Sequence, residues 1–375
     1  MKSYQKVFFN KEEIKSIQLS FEPDVFFLFV SPNFSEVEAA VSQLKKAYPN
    51  TYLIGCSTAG EIVENRLVDE SIVLTAIKFE KSRIAQTCIN LEDYNMNSLE
   101  VGRALSNKLN APDLKHMFVL SDGIFINGAE LVTGLTSEID SSIGITGGLA
   151  ADGADFKNTF VISNSGVHSK KVVALGIYGD AIKIGYGCKG GWDSFGLERL
   201  VTKSDKNVLY ELDGKPALDL YKSFLGEKAA ELPSSGLLFP LSLRNKDNQQ
   251  PVTRTILGID EETKSLTFAG NIPEGAYVRL MKANIDRLIN GAEQSATLID
   301  TNFNEDTKVA FLISCVGRRL VLKQFAEEEI EAVTEVLGDN VLYTGFYSYG
   351  EIAPFDRFSP CTLHNQTMTI TTFSE

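Results

Sequence analysis

The octapeptide Gly55-Cys-Ser-Thr-Ala-Gly-Glu-Ile62 returns near the other end of the chain as Gly345-Phe-Tyr-Ser-Tyr-Gly-Glu-Ile352. Both copies follow an apolar strand-like run, a helix-like stretch and a second short apolar run that ends on the first glycine. A pattern that returns with its flanking periodicity points to a chain assembled from copies of one module. In such a chain a shared ligand-facing turn is a better expectation than one catalytic triad.

The first copy opens on Val25-Phe-Phe-Leu-Phe-Val30 as a buried strand, followed by a helix with apolar positions Val37, Ala40, Val41, Leu44 and Ala47, then Tyr52-Leu-Ile54 and the glycine turn. Strands over 71–79 and 84–89, joined by the charged turn Glu80-Lys-Ser-Arg83, read as a hairpin. A linking helix over 97–109 leads to the second copy: strand 116–120, helix 127–139, strand 143–146 and the turn Gly147-Gly-Leu-Ala-Ala-Asp152. Strands 172–178 and 182–188 suggest another hairpin. The third copy runs from Val309-Ala-Phe-Leu-Ile-Ser314 through a Cys315-Val-Gly-Arg-Arg319 turn and a helix over 326–336 to the second octapeptide. A different stretch, 196–300, separates copies two and three. Regular patterning breaks at Gly190-Gly-Trp-Asp-Ser-Phe-Gly196, which suggests domains 1–195 and 196–375. The expected class is mixed α/β or α+β, with strand-helix-strand-turn-hairpin modules forming mixed sheets and helices packed outside.

Hydrophobic residues make up 43% and charged residues 23%, ordinary for a soluble globular protein. The 36 Lys and Arg against 49 Asp and Glu give a net charge of −13, which argues against nucleic acid as a partner. The N-terminal residues lack the apolar core of a signal peptide, and no run is long enough to span a membrane, so a cytoplasmic location is expected. Five scattered cysteines without a Cys-x-x-Cys pair suggest neither a disulfide framework nor a zinc site.

Gly55 to Glu61 superficially resembles two catalytic loops. A phosphate-cradling loop requires lysine after its last glycine, whereas Glu61 and Glu351 stand there and would repel phosphate. A nucleophile elbow around Ser57 lacks its final glycine, replaced by Ala59, and precedes a strand-like stretch where the elbow needs a helix. A hydrolase using Ser57 or Cys56 remains one alternative, although none of the three histidines sits in a suggestive context. The preferred reading makes the turns a small-ligand site. Gly55, Gly60, Gly147 and Gly148 would aim backbone amides into a concavity, while Cys56, Ser57, Thr58 and Tyr349 supply polar side chains. Glu61, Asp152 and Glu351 would receive a basic group, and Arg318 or Arg319 would pair with a carboxylate, either a ligand's or that of Glu351. His364 is the first candidate for a haem or metal ligand. No catalytic residue or obligatory cofactor is expected.

These residues resemble the FIST family. The N-terminal domain of that family is matched by 54–62 and by Gly147-Gly-Leu-Ala-Ala-Asp-Gly-Ala-Asp-Phe-Lys157. The C-terminal domain is matched by Gly214-Lys-Pro-Ala-Leu-Asp-Leu-Tyr221, Asn271-Ile-Pro-Glu-Gly-Ala-Tyr-Val-Arg-Leu280, 314–318, 345–352 and His364-Asn-Gln-Thr-Met-Thr369. The resemblance implies a sensory, non-catalytic protein that binds an amino acid or similar metabolite and signals by contact with a partner protein. It also implies an alternative, a haem-binding nitric-oxide sensor that regulates a histidine kinase or a cyclic-di-GMP enzyme.

Overall fold

Six consecutive apolar residues leave Val25–Val30 no face for solvent, and all six are buried. Such a strand needs cover on both faces. In the computed structural model, which describes residues 1–15, 17–245, 250–299, 309–356 and 359–375, it lies inside a six-stranded sheet. The order is Lys2–Phe8, Ile72–Lys78, Val25–Val30, Tyr52–Ser57, Val161–Ser163, Gly166–His168. The two central strands are parallel, bridged by the helix Val37–Ala47, and every other pair is antiparallel.

Two further sheets follow the same pairing plan. The second runs Arg83–Asn90, Lys171–Tyr178, Leu114–Ser121, Gly144–Leu149, Glu351–Pro354, Cys361–His364. The third runs Lys183–Lys189, Met368–Ser374, Val309–Cys315, Leu342–Ser348, Glu61–Val63, Arg66–Val68. Each again centres on one parallel pair. The closing hairpin of every sheet is borrowed. The 61–68 hairpin follows the first parallel pair in the chain but completes the third sheet, the 161–168 hairpin completes the first, and the 351–364 hairpin completes the second.

The hairpins expected at 80–83 and 179–182 do not form. Ile72–Lys78 stays in the first sheet while Arg83–Asn90 edges the second, and Lys171–Tyr178 stays in the second while Lys183–Lys189 edges the third. A strand has two edges. Those of Ile72–Lys78 are taken by Lys2–Phe8 and Val25–Val30, and those of Lys171–Tyr178 by Arg83–Asn90 and Leu114–Ser121. The short turns therefore step from one sheet to the next.

The three sheets share one core. Phe27, Phe118 and Phe311, one from the first strand of each parallel pair, meet with ring centroids 5.3, 4.6 and 5.0 Å apart. Helix starts are set by local chemistry: Asn97, Asn127 and Asn284 each accept amides of the first turn of Ser98–Leu109, Gly128–Ser137 and Ile285–Thr297. Where a turn was expected at 315–319, the helix Val316–Leu322 begins directly after its strand.

The fourth sheet is made in the chain between Lys183–Lys189 and Ile285–Thr297. Its order is Val252–Arg254, Leu241–Arg244, Tyr277–Lys282, Asp193–Asp205, Val208–Leu212, Ser265–Phe268, Ile256–Asp260, with Lys215–Pro216 beside Val208–Leu212. The expected irregular stretch at 190–196 is shorter, because its first strand already begins at Asp193. Helix Ala217–Leu225 shares an apolar cluster with this sheet. The fold is thus mixed α+β, with several mixed sheets and helices packed around them. Among the described residues no helix is long and apolar enough to cross a membrane.

Candidate functional site

Gly55, Gly147 and Gly345 occupy equivalent places, opposite Leu28, Val119 and Leu312 in the three parallel pairs. A Cβ on any of them would overlap the carbonyl oxygen of that opposing residue. Close approach of two backbones, rather than ligand contact, accounts for these glycines. Gly147 adds a φ of 146°, disfavoured for other residues. Gly60 has a φ of 123° and lies against the Arg319 guanidinium, whose partners are the Ala59 carbonyl and Asp69. Gly148 pairs with Glu351 across the second sheet and packs against Ile313 and Phe346.

The turn side chains are buried and engaged with the chain itself. Ser57 Oγ accepts the amide of Phe160 at 3.1 Å, and Cys56 is fully buried, its thiol pushed well above the usual range by desolvation. Glu61 is bonded by Thr58 and, at 2.7 Å, by Ser71. Glu351 is bonded by Ser348 at 2.8 Å and by the Thr367 hydroxyl at 2.9 Å. Each carboxyl thus ties its turn to the residue that heads the strand after the borrowed hairpin, Ile72–Lys78 or Met368–Ser374. Desolvation pushes Glu61 up to about 7 and Glu351 up to about 8, so both hold a proton far more readily than an exposed glutamate.

Asp152 and Tyr349 meet. The Tyr349 hydroxyl donates to Asp152, whose carboxylate also takes the amides of Phe156, Lys157 and Asn158 at 2.7–2.9 Å. Burial opposes ionisation there, but those donors prevail and hold the carboxyl below its ordinary value. The Tyr349 ring stacks on Phe156 at 4.4 Å. Arg318 is fully buried against Glu329, at 2.6 and 2.9 Å, and also donates to the carbonyls of Gly190 and Leu288. Its carboxylate is the chain's own, and it is Glu329 and not Glu351. 

His364 does not fit haem ligation. Its Nε2 lies 2.9 Å from the Ala353 carbonyl, which can only accept, so Nε2 carries the proton, and the lone pair is left on Nδ1, which is buried with no opening for a macrocycle in any described cavity lining. The ring is 1% exposed, edge-on to Phe355, and burial draws its pKa down to about 4. Among the described residues no cluster suits a metal ion.

Concave surface lies elsewhere: an open cleft of about 720 Å³ is lined by residues 3–7, 63–66 and 341–343, and smaller, more enclosed cavities line the seam between the fourth sheet and the second. There Asn127 donates to Asn271 at 2.8 Å. Asn127 lines a cavity of about 150 Å³ together with Leu149, Phe156, Phe268 and Tyr349. Asn271 lines a second, of about 290 Å³, with Val132 and Thr136 from the helix, Val252 and Arg254 from the fourth sheet, and Thr362 from the borrowed hairpin. Of the expected site residues only Tyr349 lines either cavity. Arg254 is 5% exposed and joins the layers: Nε donates to the Asn271 carbonyl at 3.3 Å, and Nη1 to Thr253 at 3.2 Å and Leu363 at 3.1 Å. The one signal for it in the sequence is a cation between strand-forming residues in an acidic chain.

A model of the FIST N domain matches residues 24–215 and one of the FIST C domain matches 217–354. An uncharacterized protein of Methanocaldococcus jannaschii is 27% identical over 348 residues, covering 82% of this chain. The chain spans 65% of that relative's length. Two solved structures align over the whole chain: a chorismatase (10% identity, TM-score 0.31, 98% of its length) and a cyanuric acid hydrolase (7% identity, TM-score 0.37, 99% of its length). At those scores neither carries an argument about this protein.

Proposed function

The chain belongs to the FIST family, whose domains are associated with sensory signal transduction, and from that premise we propose an intracellular sensor of a small metabolite. The ligand is an amino acid or a similar compound, and the signal passes by contact to a partner protein such as a histidine kinase. The observation that carries this reading is the pair of cavities along the seam, where two separately cored layers meet. A ligand there touches the helix Gly128–Ser137, the fourth sheet and the hairpin together. It can therefore favour one relative placement of the layers by its difference in affinity, about 1–3 kcal/mol in typical couplings.

A sensor also accords with the burial of Ser57 and Cys56, which offers neither to a substrate. The test is native mass spectrometry of freshly purified protein, followed by thermal shift against a metabolite panel and hydrogen exchange with the compound that binds. Slower exchange on both 128–137 and 252–260 is expected. Absence of any stabilising compound from apo protein would overturn the proposal.

A further inference from the structure

Among the described residues Arg254 is the one charged residue in the lining of the 290 Å³ cavity, and no described Asp or Glu lines it. Two of its three guanidinium nitrogens are spent on backbone carbonyls, and among the described residues Nη2 has no partner and no carboxylate pairs with the group. An unpaired cation this deeply buried is costly, and a bound anion removes that cost. Burial alone draws the guanidinium down to about 10, with no acidic neighbour opposing it. The seam around it is also under-bonded. Among the described residues the Thr255 hydroxyl, His364 Nδ1 and the Asn365 side-chain amide are buried without partners; they follow Arg254 and Leu363 in the chain, outside the cavity lining.

We propose that this cavity binds a small organic carboxylate carrying no ammonium group, with the Arg254 guanidinium as its counter-ion. The lining separates the classes. Leu243, Val132 and Val252 give an aliphatic wall for a short tail, the Thr362 hydroxyl can donate to a keto oxygen, and Thr133 and Thr136, which donate to the Ala129 and Val132 carbonyls, can accept from a hydroxy group. A free amino acid would bring its ammonium into a site whose described residues hold an unpaired guanidinium and no carboxylate, and both cations would be penalised. The volume is at the small end of metabolite sites. This inference rests on the sensor reading and narrows its ligand from amino acids to keto and hydroxy acids.

The test is isothermal titration of the full chain with 2-keto and 2-hydroxy acids of three to six carbons, each beside its amino acid and its amide. At least one acid should bind tenfold or more tighter than its amino acid and its amide. Arg254→Met should abolish that binding, and Arg254→Lys should weaken it at least tenfold. Equal binding of the amino acid or amide, or acid binding that survives Arg254→Met, overturns the inference and leaves the sensor reading standing. Binding only by compounds outside the acid series does the same. Silence towards every compound tried overturns both, and the wild-type series decides even if the variants fail to fold.

Discussion

The backbone amide of Ala59 donates to the carbonyl of Tyr347 at 2.8 Å, and the amide of Tyr347 returns a bond to Gly60 at 2.9 Å. The two octapeptides are therefore adjacent, with Gly345 paired to Ile62 in the third sheet. The same relation continues around the molecule, from Tyr349 to Leu149 at 3.3 Å and from Ala151 to Ser57 at 2.9 Å. Three turns from distant parts of the chain close a ring on one another. Asp152 and Tyr349, two of the polar residues that suggested a ligand site, bond to each other across that ring.

Gly55→Ala and Gly345→Ala should each cost about 3 kcal/mol or leave the protein insoluble, because the added methyl meets a carbonyl of a rigid neighbouring strand. Gly258→Ala, whose nearest neighbour would be 3.9 Å away, should change stability by less than about 0.5 kcal/mol. Urea unfolding of the three variants checks the contrast.

Glu351 has a folded-state pKa raised from 4.5 to about 8, so the native state holds a proton that the unfolded state releases. Its contribution is most favourable below pH 4.5 and is lost as pH climbs towards 8. The loss is on the order of 5 kcal/mol at about 1.4 kcal/mol per unit. Glu351→Gln keeps the shape and removes the ionisation. The variant should melt above wild type at pH 8.5 and lose that advantage near pH 5, as read by melting curves across the range.

Removing one member of the buried Arg318–Glu329 pair should destabilise by about 3–5 kcal/mol, since the survivor is left charged and dry. Arg318→Met tests this. Glu329→Gln should cost less, because Gln can still accept from Arg318 while Ser314 and Tyr347 rearrange around it. Denaturant midpoints that match wild type would contradict the assignment.

Cys56 should react with iodoacetamide only as fast as the protein opens, because the thiol is buried and held protonated. Partly exposed Cys88 should label sooner. Peptide mapping of a labelling time course distinguishes them, and rapid labelling of Cys56 would revive a nucleophilic role.

Haem titrated into the apo protein should give no Soret feature that depends on His364, whose Nε2 is committed to Ala353. An absorbance change abolished by His364→Ala would show that this strand end opens to admit the macrocycle.

The sequence by itself determined the elements and the places where backbones must nearly touch. Val25–Val30 and Val309–Cys315 announce buried strands by having almost no polar residue, and Asn97, Asn127 and Asn284 mark helix starts through bonds made within four residues. The returning glycines announce a repeated tight approach, and the order of motifs is enough to identify the family. Tertiary structure alone decided the partners. Ile72–Lys78 and Arg83–Asn90 carry the local signature of a hairpin, yet both edges of Ile72–Lys78 are filled by other strands and Arg83–Asn90 pairs with Lys171–Tyr178 instead, a competition that no local window contains. Glu61 and Glu351 read as exposed ligand groups because charge is visible in a sequence and burial is not. Arg254 was legible only as a cation in a strand; its isolation arises where the fourth sheet meets the second, from residues more than a hundred positions apart. Short-range chemistry fixes what each segment is, and desolvation at contacts between distant segments fixes what each charged side chain can do.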